Sequence, residues 1–221
     1  GTADTWQAPF GAVLAGGESS RYGSPKALAT VGGERIIDRV VAALREVTPD
    51  VIVSANEPAL FDDLDLPIYP DAREGLGPLG GIYTALLRAR EAGRPGILAV
   101  ACDMPFPSLP LLTRLRHTAF GADADADLAL PASRGRRGFE PLFAAYRTTC
   151  LPAIDTALAE GDRRMIGFHE QVAVRTIPLD VVESLCDPER AFLNVNTPED
   201  RARAEAMAAS QSDVARGASS E

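Results

Sequence analysis

The spacing of apolar and polar positions changes period along the chain, and each change marks an element. Residues 10–15 form a short, continuous apolar run, as a strand buried on both faces would. Ile36, Ile37, Val40, Val41, Leu44 and Val47 then recur at helical spacing, with Arg39, Arg45 and Glu46 on the opposite side. Residues 51–54, Val-Ile-Val-Ser, read as a second buried strand, and 66–69 as a weaker third. The stretch 74–81 carries too many glycines for a helix, and helical spacing resumes only at Ile82, Ala85, Leu86 and Ala89. Residues 96–102 are a further buried strand, ending at Asp103. Strand and helix in alternation predict an α/β fold with a doubly wound, mostly parallel sheet, whose ligands sit at the carboxyl ends of the strands.

The second half is less regular. Leu111, Leu112 and Leu115 predict a helix opened near Ser108, and 127–131 with 141–146 read as two strands around a polar turn, 133–138. Pro152 suits the first turn of a helix running to Glu160, with Gly161 as its stop. Residues 172–177 read as a strand. Thr197-Pro-Glu-Asp200 starts a last helix, with Thr197 as N-cap, and that helix fades by about Ser210. The pattern gives one domain over 9–209, with disordered tails at 1–8 and 210–221.

Composition narrows the function classes. The chain has 221 residues, enough for one sizeable core and short for two. A net charge of −9 argues against a nucleic-acid surface. No apolar run approaches a membrane span and no signal-peptide pattern precedes the first strand, so the expected location is cytoplasmic. Cys102, Cys150 and Cys186 form no C-x-x-C pair, and His117 and His169 have no Cys/His cluster beside them, which leaves no zinc pattern.

The chemistry concentrates after the first strand, in Leu14-Ala-Gly-Gly-Glu-Ser-Ser-Arg-Tyr-Gly-Ser-Pro-Lys26. Gly16 and Gly17 let backbone N–H groups approach a ligand, Gly23 lets the loop turn, and Arg21 and Lys26 supply positive charge. Such a loop suits a polyphosphate, although it is neither a Walker A loop nor a G-x-G-x-x-G turn. An ordinary glycine-rich strand-to-helix turn is the alternative. Asp103, fixed at the end of a buried strand, suits a Mg²⁺ site, since that ion needs few protein carboxylates. A turn or capping aspartate before Pro105 would look the same in sequence. Asn194 and Asn196 alternate along what reads as a short strand and so share a face; a structural role, closing the turn before the last helix, is the alternative. Arg134, Arg136, Arg137, Arg163 and Arg164 form a basic cluster in an acidic chain, either a steering field for an anion or plain solvation.

The glycine loop resembles the signature of nucleotidyltransferases that use a nucleoside triphosphate and release pyrophosphate. Three more strings follow in order: Gly77-Pro-Leu-Gly-Gly81, Cys102-Asp-Met-Pro105 and Phe192-Leu-Asn-Val-Asn-Thr-Pro-Glu-Asp200. Together they resemble the molybdenum cofactor guanylyltransferases, over about residues 10–209. The resemblance implies a three-layer α/β/α Rossmann-like nucleotidyltransferase fold with an antiparallel element in its second half. It further implies transfer of GMP from MgGTP to the terminal phosphate of Mo-molybdopterin, giving molybdopterin guanine dinucleotide and pyrophosphate. In that family Lys26, Arg21 and Asp103 would be catalytic, with Asp103 holding Mg²⁺. Leu14, Ala15, Gly16, Gly17, Lys26, Asn56, Asp71 and Asp103 would bind the nucleotide, although Asn56 could equally be a plain loop residue. Gly80, Arg137, Arg164, Asn194 and Asn196 would lie toward the pterin. Partners would be GTP, Mo-molybdopterin, other cofactor-biosynthesis proteins and apo-molybdoenzymes, with no nucleic acid and no membrane. Ser24-Pro25-Lys26 resembles the loop of the cytidylyl counterpart, whereas Leu14-Ala-Gly-Gly17 and the Asn194–Thr197 string favour guanylyl. A sugar-1-phosphate nucleotidyltransferase and a non-catalytic nucleotide-binding regulator are more distant alternatives.

Overall fold

The computed structural model describes residues 8–16 and 28–218. In chain order it contains β1 (Phe10–Leu14), the two-stranded hairpin β2 (Thr30–Val31) and β3 (Glu34–Arg35), α1 (Ile36–Val47), β4 (Val51–Ser54) and β5 (Ile68–Tyr69). Then follow α2 (Pro78–Glu91), β6 (Gly96–Ala101), α3 (Leu109–Phe120), β7 (Leu128–Pro131), β8 (Phe143–Arg147), α4 (Leu151–Ala159) and β9 (Val174–Ile177). The chain closes with α5 (Leu179–Leu185), α6 (Pro188–Ala191) and α7 (Pro198–Ala218).

Seven strands form one sheet in the order β5-β4-β1-β6-β8-β7-β9. Every pairing is parallel except the two that β8 makes, with β6 and with β7. The expected antiparallel element is therefore β8. Alternation along each strand sends successive side chains to opposite faces. Val13, Val53, Leu98, Val100 and Phe143 join the core beneath α1, α3 and α7, while Ala12, Ile52, Ile97, Ala99 and Tyr146 join the one beneath α2 and α4. Helices on both faces of a mostly parallel sheet make the three layers that the alternating pattern predicted.

Three expectations need correction. The glycine stretch 74–81 is not wholly loop, because α2 already begins at Pro78. Gly77 supplies a positive φ of 58° at the N-cap, and Pro78 fits the first helical position, where its missing N–H has no intrahelical partner to lose. Residues 193–196 form no strand, yet the expected alternation survives: Leu193 and Val195 are buried, and Val195 N–H donates to Asp103 O at 2.8 Å. The last helix does not fade near Ser210 but continues to Ala218, since extending a helix costs far less than starting one. Its start is as read: Asp200 N–H donates to Thr197 Oγ1, and Thr197 N–H to Asp200 Oδ2, both at 3.1 Å. The hairpin β2–β3, α5 and α6 carry too few residues for a periodic signal and were not anticipated. No helix among the described residues is long and apolar enough to cross a membrane.

Candidate active site

The sheet reverses its direction of growth between β1 and β6. From β1 the chain adds β4 and β5 on one side, and from β6 it continues to the strands on the other. A crevice opens outside the carboxyl ends of strands at such a point. Leu14 and Ala101 are register partners at this edge, and Cys102 N–H donates to Leu14 O at 3.0 Å. Asp103 thus leaves the sheet beside Ala15 and Gly16. Gly17, Gly23, Arg21 and Lys26 lie outside the described residues.

On the β1–β4–β5 side, Asn56 and Asp71 hold each other. Asp71 N–H donates to Asn56 Oδ1 at 3.1 Å, and Asn56 Nδ2 donates to Asp71 Oδ2 at 3.3 Å. Asp71 Oδ1 is buried and has no hydrogen-bond partner. Burial raises the Asp71 pKa above the ordinary carboxylate range, and the Asn56 bond offsets part of that rise. A methyl group on Gly16 would stand 3.7 Å from Asp71 Oδ1, which places this backbone against the carboxylate. One on Gly80 would come within 3.0 Å of Asp71 Oδ2, closer than a methyl normally sits. Gly80 therefore packs directly against the Asp71 carboxylate. Ala72 N–H donates to Thr84 Oγ1, which donates to Gly80 O, and Ser54 Oγ donates to Gly81 O. These bonds lock the start of α2 to the strand ends that carry Asn56 and Asp71.

On the β6–β8–β7 side stands Glu140, which the sequence did not single out. It is half-buried: desolvation raises its pKa first, and the negative charge of Asp103 adds to the rise. Leu142 N–H and the positive charge of Arg137 pull the other way. Arg137 is accordingly near this edge. Arg134, Arg163 and Arg164 engage separate partners. Arg134 pairs with Glu183 at 3.1 Å and Glu189 at 3.6 Å, Arg164 forks onto Asp162, and Arg163 reaches Gly75 O at 3.5 Å. Asn194 Oδ1 is buried without a hydrogen-bond partner, next in the chain to the Val195 N–H that binds Asp103 O. Asn196 is exposed, with its N–H on Asp200 Oδ2 at 3.0 Å.

Among the described residues no group of three or more His, Cys, Asp and Glu is placed to hold a metal. A hard cation such as Mg²⁺ needs only one or two carboxylates, with water and phosphate oxygens completing its shell. Asp103, the nearby Glu140 and the unsatisfied amide oxygen of Asn194 are all hard oxygen donors, so the residues fit such an ion. A separate groove of about 620 Å³, bordered by Arg39, Phe106 and Arg190, contains none of the candidate residues.

Comparison with known proteins gives the family and the fold. The family profile described as the MobA-like NTP transferase domain matches residues 11–173. A probable molybdenum cofactor guanylyltransferase of Pelotomaculum thermopropionicum is 39% identical over 198 residues, 90% of this chain and 92% of that one. The crystal structure of molybdopterin-guanine dinucleotide biosynthesis protein A from Archaeoglobus fulgidus superposes with a TM-score of 0.74 at 25% identity, covering 90% of this chain and 98% of that one. A Mycobacterium tuberculosis protein crystallised in complex with manganese shares the fold, with a TM-score of 0.62 at 17% identity over 90% and 98% of the two chains.

Proposed function

The chain belongs to the MobA-like NTP transferase family, and from that premise we propose that it transfers GMP from GTP to the terminal phosphate of Mo-molybdopterin. The products are molybdopterin guanine dinucleotide and pyrophosphate. The observation that carries this reading is the half-buried Asp71 against Gly16, at the carboxyl edge of the sheet, in a chain whose relatives include probable molybdenum cofactor guanylyltransferases. Guanine offers two adjacent donors, N1–H and the 2-amino group, which a carboxylate accepts together. Cytosine offers only one amino donor on its pairing edge, so a carboxylate discriminates against it.

A terminal phosphate oxygen of molybdopterin attacks the α-phosphorus of GTP in line, and the bond to the β-phosphate oxygen breaks as pyrophosphate leaves. The attacking phosphate has its second pKa near ~6 and is largely ionised at neutral pH, so no general base is required. Asn56, Asp71 and the Gly16 backbone orient the nucleoside. Asp103 would hold the divalent cation, Mg²⁺ by this proposal, which supplies charge neutralisation for the phosphates when bound. Lys26 and Arg21, by their place in the family string, would neutralise the triphosphate and the departing pyrophosphate. The other partners are Mo-molybdopterin itself and the cofactor-biosynthesis proteins and apo-molybdoenzymes that supply or receive it.

The test is a thermal-shift panel of GTP, CTP, ATP and UTP with Mg²⁺, followed by pyrophosphate release with Mo-molybdopterin. GTP should give the largest shift and support turnover. Equal or greater stabilisation by CTP would move the assignment to the cytidylyl branch.

A further inference from the structure

We propose that Glu140 is a second carboxylate acting on the cation that Asp103 would hold, and that it sets how tightly this cation binds. The inference rests on the role given to Asp103 above.

Three strands fix Glu140 in place. Its N–H donates to Pro131 O at the end of β7 at 3.0 Å, and its own carbonyl accepts Phe143 N–H at the start of β8. Its Oε1 accepts Leu142 N–H at 3.1 Å, and Leu142 O accepts Ala101 N–H at the end of β6, also at 3.0 Å. The carboxylate is therefore held two hydrogen bonds away from the strand that delivers Asp103.

This placement is unfavourable by itself. Desolvation is the largest influence on Glu140 and disfavours its charge, and Asp103 adds a smaller repulsion, while Leu142 N–H and Arg137 pull the other way. The reaction then brings a triphosphate and a phosphate monoester to the same edge. A divalent cation reverses the balance, because each carboxylate that faces it strengthens its binding. Glu140 lies on the β8 side of Asp103, away from Asn56 and Asp71, so it would act where the acceptor phosphate approaches.

The competing explanation is that Glu140 only accepts the Leu142 N–H and braces the turn into β8. E140Q separates the two, since glutamine keeps the size and an acceptor oxygen but removes the charge. The experiment is Mn²⁺ titration followed by electron paramagnetic resonance, on the full chain without nucleotide and saturated with GTP, for wild type, E140Q, E140D and D103N. E140Q should bind Mn²⁺ about tenfold more weakly, equivalent to ~1.4 kcal/mol. Its melting temperature and its GTP affinity in EDTA should equal or exceed wild type, because the substitution removes a desolvated charge and a repulsion toward phosphate. E140D, which keeps the charge on a shorter side chain, should bind Mn²⁺ better than E140Q and carries the test if E140Q folds poorly. Mn²⁺ affinity within about twofold of wild type in E140Q, with D103N impaired, would reduce Glu140 to the turn-bracing role. E140D binding no better than E140Q would exclude charge as the cause. If D103N also binds Mn²⁺ like wild type, the reading of Asp103 falls along with this one.

Discussion

Asp103→Asn keeps the size of the side chain and its ability to cap a turn, and removes only the charge. Folding and turnover should therefore part company: an unchanged melting temperature, modestly weakened GTP binding and almost no pyrophosphate release. Retention of more than about a tenth of wild-type turnover, a loss under ~1.4 kcal/mol of transition-state stabilisation, would return Asp103 to the turn-capping role. His169 gives a prediction in pH. Burial lowers its pKa from 6.5 to about 4, and the ring packs edge-on against Phe168 at 4.9 Å. Between these values the unfolded chain binds more protons than the folded one, so this contribution to stability is complete above pH 6.5 and is lost as pH falls toward 4. In H169F the melting temperature should decline less steeply across that window, and an identical pH profile would contradict the assignment. At this scale the sequence was legible where a residue's position follows from its own element. Asp103 ends the strand read before it, and Asn56 and Asp71 follow theirs. Glu140 was invisible because its importance comes from contact between the ends of β6, β7 and β8, which lie far apart in the chain.

At the scale of elements, the start of α2 links sequence to site. Gly80 lies inside the helix, where alanine is ordinarily preferred by about 1 kcal/mol. A methyl group there would press on Asp71 Oδ2. Gly80→Ala should thus leave thermal stability near or above wild type while weakening GTP binding several-fold, as measured by isothermal titration. Unchanged GTP affinity would show that Asp71 tolerates displacement or does not contact the base. The long amphipathic and continuously apolar segments were legible: α1 spans Ile36–Val47 as its apolar spacing indicates, and β4 and β6 fall where their runs do. The misreading at 74–81 arose because glycine content argues for a loop only when nothing packs closely. Here Gly80 and Gly81 permit the helix to approach Asp71, Leu14 and Ser54. In 193–196 the alternation was correct but there was no neighbouring ladder, since the N–H groups of Leu193, Val195 and Asn196 bond to Arg190 O, Asp103 O and the Asp200 side chain instead.

For the molecule as a whole, one sheet with a core on each face was legible because every strand flanked by helices must be apolar on both sides. The order of the strands was not, since the reversal between β1 and β6 depends on crossovers rather than on local pattern. That reversal brings Gly16, Asp71, Asp103 and Glu140 to one edge in a chain carrying a net charge of −9. Binding two polyanions there depends on local cations and backbone donors, because the overall field opposes it. The central claim is that this edge transfers a nucleotidyl group, not a phosphoryl group. The most direct measurement uses GTP radiolabelled either at the α- or at the γ-phosphorus, incubated with the full chain, Mg²⁺ and Mo-molybdopterin. The account predicts that α-label enters the pterin product and γ-label leaves entirely as pyrophosphate. Label from the γ-position in the pterin fraction, or none from the α-position, would contradict it.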